Sequence, residues 1–314
     1  MRVSVAARLC ALVVLVLADT AAAQSPGPSN KVVVATGFAN DYLATWVAQD
    51  RGFATQRGIA FDITLSQATG TDLAASLYAN NVQIAQTTAT TFALANENGL
   101  DLVIVAGAGI QTEVNPRQVL VRPAAHIKSA KDFAGKRVGT PGINGALDIM
   151  FRKWLAVEGV DPKSVNYVET PMPRMADLMK EAQVDAVLPV EPFRTRMIQA
   201  GVATPAGDYI TSVNKVTLLS FYISTRKWAE ANPQAIAAFR DLLKEGEDYV
   251  KAHPDDARAI EAKYLKLPSE IVAQLPFTAT EVEVPPSRLQ FWLDVCKQFG
   301  VTKDDPDAAK FIVK

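Results

Sequence analysis

The sequence predicts an α/β fold with two lobes, each a mainly parallel β-sheet flanked by helices, and a helical C-terminal tail packed on the first lobe. Short apolar strands alternate with helices from Lys31 to about Ala106, and the alternation begins again at Gln118. Such alternation is typical of βαβ units in a parallel sheet. After Arg226 the pattern is helical throughout. Because helices without strands must pack on an existing sheet, we place this tail on the first lobe.

The first 23 residues have the features of a cleaved signal peptide. Arg2 and Arg8 form a basic start, Leu9 to Leu17 is an apolar stretch short for a bilayer, and Ala21 to Ala23 supplies a cleavage site. Residues 24–30 are expected to be a disordered lead-in. We therefore expect a periplasmic, monomeric protein; a retained N-terminal anchor is the alternative.

Charge and cysteine content exclude several classes of function. The chain has 32 basic and 33 acidic residues, so we expect neither nucleic-acid nor anionic-membrane binding. Cys296 is the only cysteine after the signal segment, which leaves no intramolecular disulfide; its apolar helical neighbours predict a buried thiol. His126 and His253 lack a metal-ligand spacing, and no nucleophile elbow or phosphate-binding loop is present. We expect no metal, no cofactor and no enzymatic activity.

The strands and helices follow in order along the chain. Strands are predicted at 31–36, 59–65, 82–86, 102–106, 118–123, 136–139, 165–168, 184–188 and 216–224. Helices are predicted from Asp41 to about Gly52, at 72–79, from the Thr87–Thr91 turn to Asn98, at 129–133, from Gly145 to Gly159, at 173–180, 191–200, 233–252, 255–265, 269–275 and 287–299. Asp41, Asp255, Ser269 and Ser287 are predicted N-caps.

Two crossings divide this order into lobes. We place them near residues 106–115 and 208–215, so that residues 31–110 and 214–314 form lobe 1 and residues 111–213 form lobe 2. Open α/β sheets bind ligands beyond the carboxyl ends of their strands. Two such sheets predict a cleft that closes by hinge motion.

One stretch, Gly135 to Trp154, combines a strand, a turn of small residues and an amphipathic helix. Unpaired backbone N–H groups at the helix start, with the helix dipole, can hold an oxyanion. The alternative is an ordinary strand-to-helix turn in which Gly142 and Gly145 serve only the backbone geometry.

Several segments resemble a known family. KDFAGKRVGTPGINGALDIMFRKWLAVEGVDPKSV and VDAVLPVEPF are similar to the second lobe of ABC-importer solute-binding proteins of the nitrate, sulfonate and taurine type, a group that includes binders of thiamine-precursor pyrimidines. WVAQDRGFATQRGIAFDITL resembles its first helix and second strand, and WAEANPQAIAAFRDLLKEGEDYVKAHPDDA its C-terminal helices. The resemblance covers nearly the whole mature chain. It implies a type II periplasmic binding protein that delivers its ligand to the transmembrane subunits of an ABC permease.

The resemblance also implies where the ligand is held, in loops at strand ends. These positions are Phe38, Asn40, Tyr42, Thr69, Thr88 and Thr90 in the first lobe and Asn144, Gly145 and Glu191 in the second. Arg174 is a further candidate, because a guanidinium can bind an anion through two hydrogen bonds.

Each candidate has an alternative role. The hydroxyls of Thr88 and Thr90 could cap a helix instead of binding an oxyanion. Phe38 and Tyr42 could fill the core instead of stacking on a flat ligand. Glu191 could accept hydrogen bonds from a ligand amine, amide or ring N–H, or cap the following helix. Arg174 could be a solvated arginine at a helix start.

The function expected is that of the solute-binding component of an ABC importer. Its ligand would be a small anionic or zwitterionic organic molecule, such as a sulfonate, taurine-like compound or carboxylate. Alternatives are a binder of an aromatic acid or pyrimidine, a periplasmic enzyme on the same scaffold, and an adaptor whose closed form docks a sensor.

Overall fold

The computed structural model describes residues 31–57, 60–66 and 71–314, which build two five-stranded sheets with helices on their faces. The strands are β1 Lys31–Thr36, β2 Ala60–Leu65, β3 Ile84–Thr88, β4 Leu102–Gly107, β5 Ile110–Gln111, β6 Gln118–Val121, β7 Arg137–Thr140, β8 Asn166–Glu169, β9 Ala186–Val187, β10 Thr204–Asp208, β11 Thr217–Leu218 and β12 Ser220–Thr225. The α-helices are α1 Leu43–Asp50, α2 Phe53–Gln56, α3 Thr71–Tyr78, α4 Ala89–Glu97, α5 Ala146–Val157, α6 Met175–Lys180, α7 Phe193–Gln199, α8 Arg226–Ala231, α9 Pro233–Ala252, α10 Pro254–Leu265, α11 Ser269–Val272 and α12 Pro286–Gln298.

The two sheets have the same plan. The first has the order β2-β1-β3-β12-β4, and the second, read from its parallel side, β8-β7-β9-β6-β10. In each, one antiparallel strand (β12 or β6) stands fourth in an otherwise parallel arrangement. The predicted fold class, two mainly parallel sheets flanked by helices, is confirmed. We call the residues packed around the first and second sheets the first and second lobes.

A short two-stranded connection lies between the sheets. In it β5 pairs with β11, with Ile110 opposite Leu218 and Gln111 opposite Thr217. A tail segment adds to the connection, because Ile110 donates its backbone N–H to Ala279 and Glu281 donates to Ala108. The chain therefore passes between the lobes through hydrogen-bonded strands.

The tail packs mainly on the first lobe, as predicted. Helix α9 lies so close to α1 that a Cβ on Gly246 would stand 2.1 Å from the carbonyl oxygen of Ala44. Helix α12 contacts α4 of the first lobe and α5 of the second. It is anchored by buried Trp292, whose indole Nε1 donates to the Leu218 carbonyl at 2.8 Å. Cys296 on the same helix is buried, which confirms that prediction.

Several element boundaries differ from the sequence expectation. Thr87 and Thr88 end β3 instead of forming a turn, and the predicted strand 216–224 is two strands, β11 and β12. Strands β5 and β10 were not predicted. Helix α11 is only four residues long, and residues 276–285 of the tail are not helical. The predicted N-caps Asp255, Ser269 and Ser287 lie inside their helices. Pro254 and Pro286 take the first positions of α10 and α12, and Ser269 is itself the first residue of α11, after Pro268.

The expected signal peptide and lead-in, residues 1–30, lie outside the described residues, as do Gly58–Ile59 and Gln67–Gly70. In the part that is described, no helix has the length and apolar character needed to cross a membrane. The same part contains no group of three histidine, cysteine or acidic side chains arranged to hold a metal ion.

Candidate ligand-binding cleft

A cluster of threonine hydroxyls stands where β3 leads into α4. Thr88 Oγ1 lies 3.1 Å from Thr91 Oγ1 and 3.4 Å from Thr90 Oγ1. The first turn of α4 has no acidic residue, and the Thr88 side chain makes no capping hydrogen bond to it. The helix start therefore keeps its partial positive charge beside three hydroxyl groups, a set of donors suited to an oxyanion.

Tyr42 and Ser220 belong to the same neighbourhood. The phenol of Tyr42 donates to Oε1 of Gln86 at 2.6 Å, and Gln86 precedes Thr88 by two residues, on the same face of β3. Ser220 on β12 stands opposite Thr88 in the sheet register. Burial, followed by the charge of Asp41, raises the pKa of the Tyr42 phenol well above its ordinary value, so this hydroxyl stays protonated. Tyr42 is buried, with its ring edge-on to Tyr222.

In the second lobe, the turn before α5 already has acceptors within the protein for two of its backbone N–H groups. Asn144, in the left-handed conformation at φ 63°, donates its backbone N–H to Oδ2 of Asp148 at 2.8 Å. Gly145 donates its own to the Gly142 carbonyl at 3.0 Å. Asp148 is buried in the first turn of α5 and pairs with Arg152. The expectation of unpaired N–H groups at this helix start is therefore wrong for Asn144 and Gly145.

The loop after β1 splits into exposed and buried parts. Phe38 is 36% exposed, and Asn40 is buried with its Nδ2 donating to the carbonyl of Pro276 at 2.9 Å. Thr69, in the loop after β2, lies outside the described residues. An exposed aromatic ring in this loop leaves Phe38 available to a flat ligand.

Glu191 is 1% exposed and makes its contacts inside the second lobe. Its Oε1 accepts from Nη1 of Arg194 at 3.0 Å, and its Oε2 accepts from the backbone N–H of Thr195 at 3.1 Å. The second bond satisfies a donor in the first turn of α7, so the capping role considered from the sequence is realised. Arg174 lies exposed in the 3-10 helix Met172–Arg174.

Sequence reasoning missed an ion pair beside these loops. Asp41, expected as an N-cap, instead accepts from Nη2 of Arg117, at 2.9 Å for Oδ1 and 3.2 Å for Oδ2. Arg117 is fully buried and directly precedes β6 of the second lobe. Gly109 allows this approach, because a Cβ there would stand 2.6 Å from Oδ1 of Asp41. The only signal in the sequence was the position of Arg117, directly before an apolar strand and just after the predicted crossing at residues 106–115.

The structure thus groups Tyr42, Thr88 and Thr90 in the first lobe, while Asn144 and Glu191 make their hydrogen bonds within the second. Helices α4 and α5, which follow the carboxyl ends of β3 and β7, contact each other. The helices that follow the predicted ligand loops of the two lobes therefore pack together. The contacts themselves remain predictions.

Two similar lobes, joined by short paired strands and carrying polar loops at their strand ends, define the fold class of two-lobed binding proteins. The sequence profile described as NMT1/THI5 like matches residues 39–257, and the chain belongs to this family. No curated protein matches the chain in a sequence comparison.

Solved structures share the fold at low sequence identity. The periplasmic aliphatic sulphonate binding protein SsuA from Escherichia coli has a TM-score of 0.77 at 17% identity, over 91% of this chain and 92% of that one. The alkanesulfonate-binding protein SsuA from Xanthomonas axonopodis pv. citri, bound to MOPS, gives 0.76 at 15% identity, over 91% and 98%. The periplasmic nitrate-binding protein NrtA from Synechocystis PCC 6803 gives 0.75 at 15% identity, over 90% and 84%. All three are described as binding proteins.

Proposed function

We propose that the protein is the solute-binding component of an ABC importer and holds a small organic ligand between its two lobes. The observation that carries this proposal is the pair of like sheets, joined by a short hydrogen-bonded connection, whose helices α4 and α5 contact each other. Such an arrangement buries a ligand when the lobes close. We propose lobe boundaries at residues 31–110 with 214–314 and at 111–213, which agree with the membership of the sheets.

The ligand we propose is an organic anion or zwitterion, such as a sulfonate or carboxylate. The two helix starts at the cleft differ in charge, because α5 has Asp148 in its first turn and α4 has no acidic residue there. The acidic group of the ligand is therefore expected at α4, with hydroxyls of Thr88 and Thr90 as donors. The fold neighbours include proteins named for aliphatic sulphonate, alkanesulfonate and nitrate, which supports this ligand class.

The position of Phe38 supports a second candidate ligand, a flat aromatic acid or a pyrimidine. Its ring is partly exposed in the loop after β1, within the first lobe that also carries the threonines. Aromatic rings stack on flat ligands at close range. A ligand screen must therefore contain aliphatic and aromatic acids in equal number.

The remaining proposals concern partners and location. The closed, ligand-bound protein would be recognised by the transmembrane subunits of a permease, and it would act as a monomer in the periplasm. The periplasmic neighbours SsuA and NrtA support this location.

A thermal-shift screen tests the function. Protein refolded from denaturant, and so freed of ligand, is heated with alkanesulfonates, taurine, nitrate, aliphatic and aromatic carboxylates, amino acids and pyrimidines. A ligand at one hundred times its dissociation constant stabilises the native state by about 2.7 kcal/mol. We expect an upward shift of Tm with at least one anion or zwitterion, and no shift across the panel would overturn the proposal.

A further inference from the structure

Two buried carboxylates, one from each lobe, interact electrostatically. Glu191 follows β9 in the second lobe, and Glu261 belongs to α10 of the tail, which packs against α1 and α9 of the first lobe. Glu191 is 1% exposed and Glu261 is fully buried. The negative charge of Glu191 is felt at Glu261, where it opposes ionisation.

The two carboxylates differ in how they are satisfied. Both oxygens of Glu191 have partners, as described above. Glu261 has one, Oε2, which accepts from Nη1 of Arg258 at 2.6 Å. Its other oxygen, Oε1, is buried and has no hydrogen-bond partner among the described residues. A buried carboxylate oxygen without a donor disfavours the ionised form of the group.

The surrounding charges do not cancel this effect. Arg194 is bound to Glu191 and Gln118, and Arg258 is bound to Glu261 and the Leu275 carbonyl, with its guanidinium over the ring of Phe277. On the sides of α10 that meet α1 and α9, the charged groups pair with one another: Asp256 with Arg51 and the Tyr249 hydroxyl, and Lys263 with Asp50. Burial outweighs the favourable Arg258 charge and raises the pKa of the Glu261 carboxyl to about 7.

The region next to α10 also carries a contact between the lobes. Gln199 at the end of α7 in the second lobe donates to Gln274, which follows α11, and α11 contacts α10. Opening of the lobes would move Glu191 and the helix that follows it, α7, away from α10 and would admit water to Glu261.

We propose that the Glu191–Glu261 pair makes closure of the two lobes proton-linked, so that the closed form binds a proton at Glu261 that the open form releases. This inference rests on the two-lobed hinge motion of the proposed function, and it adds a regulation of that motion by pH. An acid with a higher pKa in the closed form favours closure at low pH. For one proton, the opening equilibrium constant rises by up to about tenfold per pH unit between about pH 5 and pH 7, and levels off above.

A distance measurement on the ligand-free protein tests the proposal. Spin labels are attached to cysteines introduced at Tyr78 on α3 and Val157 on α5, both exposed and on different lobes, and the inter-label distance distribution is recorded from pH 5 to pH 9. The protein is used without residues 1–23, which contain Cys10, and buried Cys296 should remain unlabelled. We expect the closed population to fall as the pH rises to 7, and Glu261→Gln, which cannot ionise, to abolish that change.

Two comparisons complete the design. Glu270→Gln on α11 removes an exposed carboxylate nearby and should leave the pH profile of the wild type unchanged. A carbon-13 titration of the Glu261 side chain in the wild type should show a midpoint clearly above the ordinary value of 4.5, and this readout needs no variant to fold. A profile that is flat in the wild type, a profile shared by Glu261→Gln, or a titration midpoint near 4.5 would each overturn the proposal. Because no ligand is used, such a failure would leave the thermal-shift result on ligand binding intact.

Discussion

Arg117 donates from Nη2 to both carboxylate oxygens of Asp41, at 2.9 and 3.2 Å, and so joins the segment before β6 of the second lobe to the turn after β1 of the first. Both side chains are buried, and Nε and Nη1 of Arg117 have no partner among the described residues. The guanidinium therefore depends on one carboxylate for the compensation of its charge. This pair lies directly beside Asn40 and Tyr42, two of the predicted ligand contacts.

Removal of the Asp41 charge should be strongly destabilising. In Asp41→Asn the buried guanidinium loses its counter-charge, and we expect the free energy of unfolding to fall by about 3–5 kcal/mol. Urea denaturation measures the change. The control is Asp101→Asn, which breaks the more exposed pair with Arg226 and should change stability by about 0–1 kcal/mol. Equal changes in the free energy of unfolding would show that the buried pair contributes no more to stability than the exposed one.

Gly246 should not tolerate a side chain, although it lies inside α9. Alanine favours an exposed helix over glycine by about 1 kcal/mol, yet a Cβ here would stand 2.1 Å from the backbone oxygen of Ala44. We expect Gly246→Ala to lower the free energy of unfolding by about 1–3 kcal/mol because α1 and α9 must move apart. Gly142→Ala, where a Cβ meets nothing within 4 Å, is the control. A stabilised Gly246→Ala protein would contradict the close packing of these helices.

The two helix starts at the cleft can be distinguished by substitution at Gly145. Because Asp148 already occupies the start of α5, a second carboxylate there should weaken anion binding little. Any Cβ at Gly145 meets the Gly142 carbonyl at 2.9 Å, so Gly145→Ala reproduces the steric part of Gly145→Asp. We expect the two variants to bind the screened anion within about threefold of each other, a difference of about 0.6 kcal/mol. A much weaker Gly145→Asp would move the anion site to α5.

Asp185 should contribute to the acid sensitivity of the second lobe. Burial alone would raise its pKa, but hydrogen bonds from the Arg137 backbone N–H and the Arg122 guanidinium outweigh burial and lower the pKa below its ordinary value. A carboxyl with a lowered native pKa stabilises the fold above its unfolded pKa, and this stability is lost as pH falls through the native value. We expect Asp185→Asn to flatten the loss of stability below about pH 4, measured by denaturation at several pH values. Asp241→Asn, at an exposed position, should keep the wild-type slope; an unchanged slope in Asp185→Asn would refute the assignment.

Cys296 should be inert in the folded protein. Its side chain is buried in α12, and burial raises the pKa of the thiol to about 12, so almost no thiolate exists at neutral pH. In protein without residues 1–23, we expect a thiol reagent to label Cys296 only after denaturant is added. Rapid labelling under native conditions would contradict the packing of α12.

The sequence predicted the fold better than the site, for physical reasons. Apolar periodicity located α9 at its observed ends, because a long amphipathic helix repeats its signal many times. Strand β10 has no such signal, since its residues are half-buried at a sheet edge and include a proline and a glycine. Local pattern also fails where a role depends on a distant partner: Asp41 has the form of an N-cap, and only the fold brings Arg117 to it. The hydrogen bond from the Asn144 backbone N–H to Asp148 could not be predicted from local pattern either, because it depends on the direction of the Asp148 side chain.

An organic anion is expected to bind at the start of α4, and calorimetric titration measures this binding. Ligand-free wild type is titrated with the best anion from the thermal screen, alongside the double variant Thr88→Val with Thr90→Val. Thr302→Val is the control for loss of a threonine hydroxyl, because Thr302 lines a cavity beside residues 92–97 of α4 and not the start of that helix. Loss of two donors to a charged group should weaken binding by about 1.5–3 kcal/mol for each bond, which is more than tenfold. We expect one site per chain in the wild type and in Thr302→Val, and at least a tenfold weaker one in the double variant. Equal affinity in all three proteins would show that the anion does not bind at the start of α4.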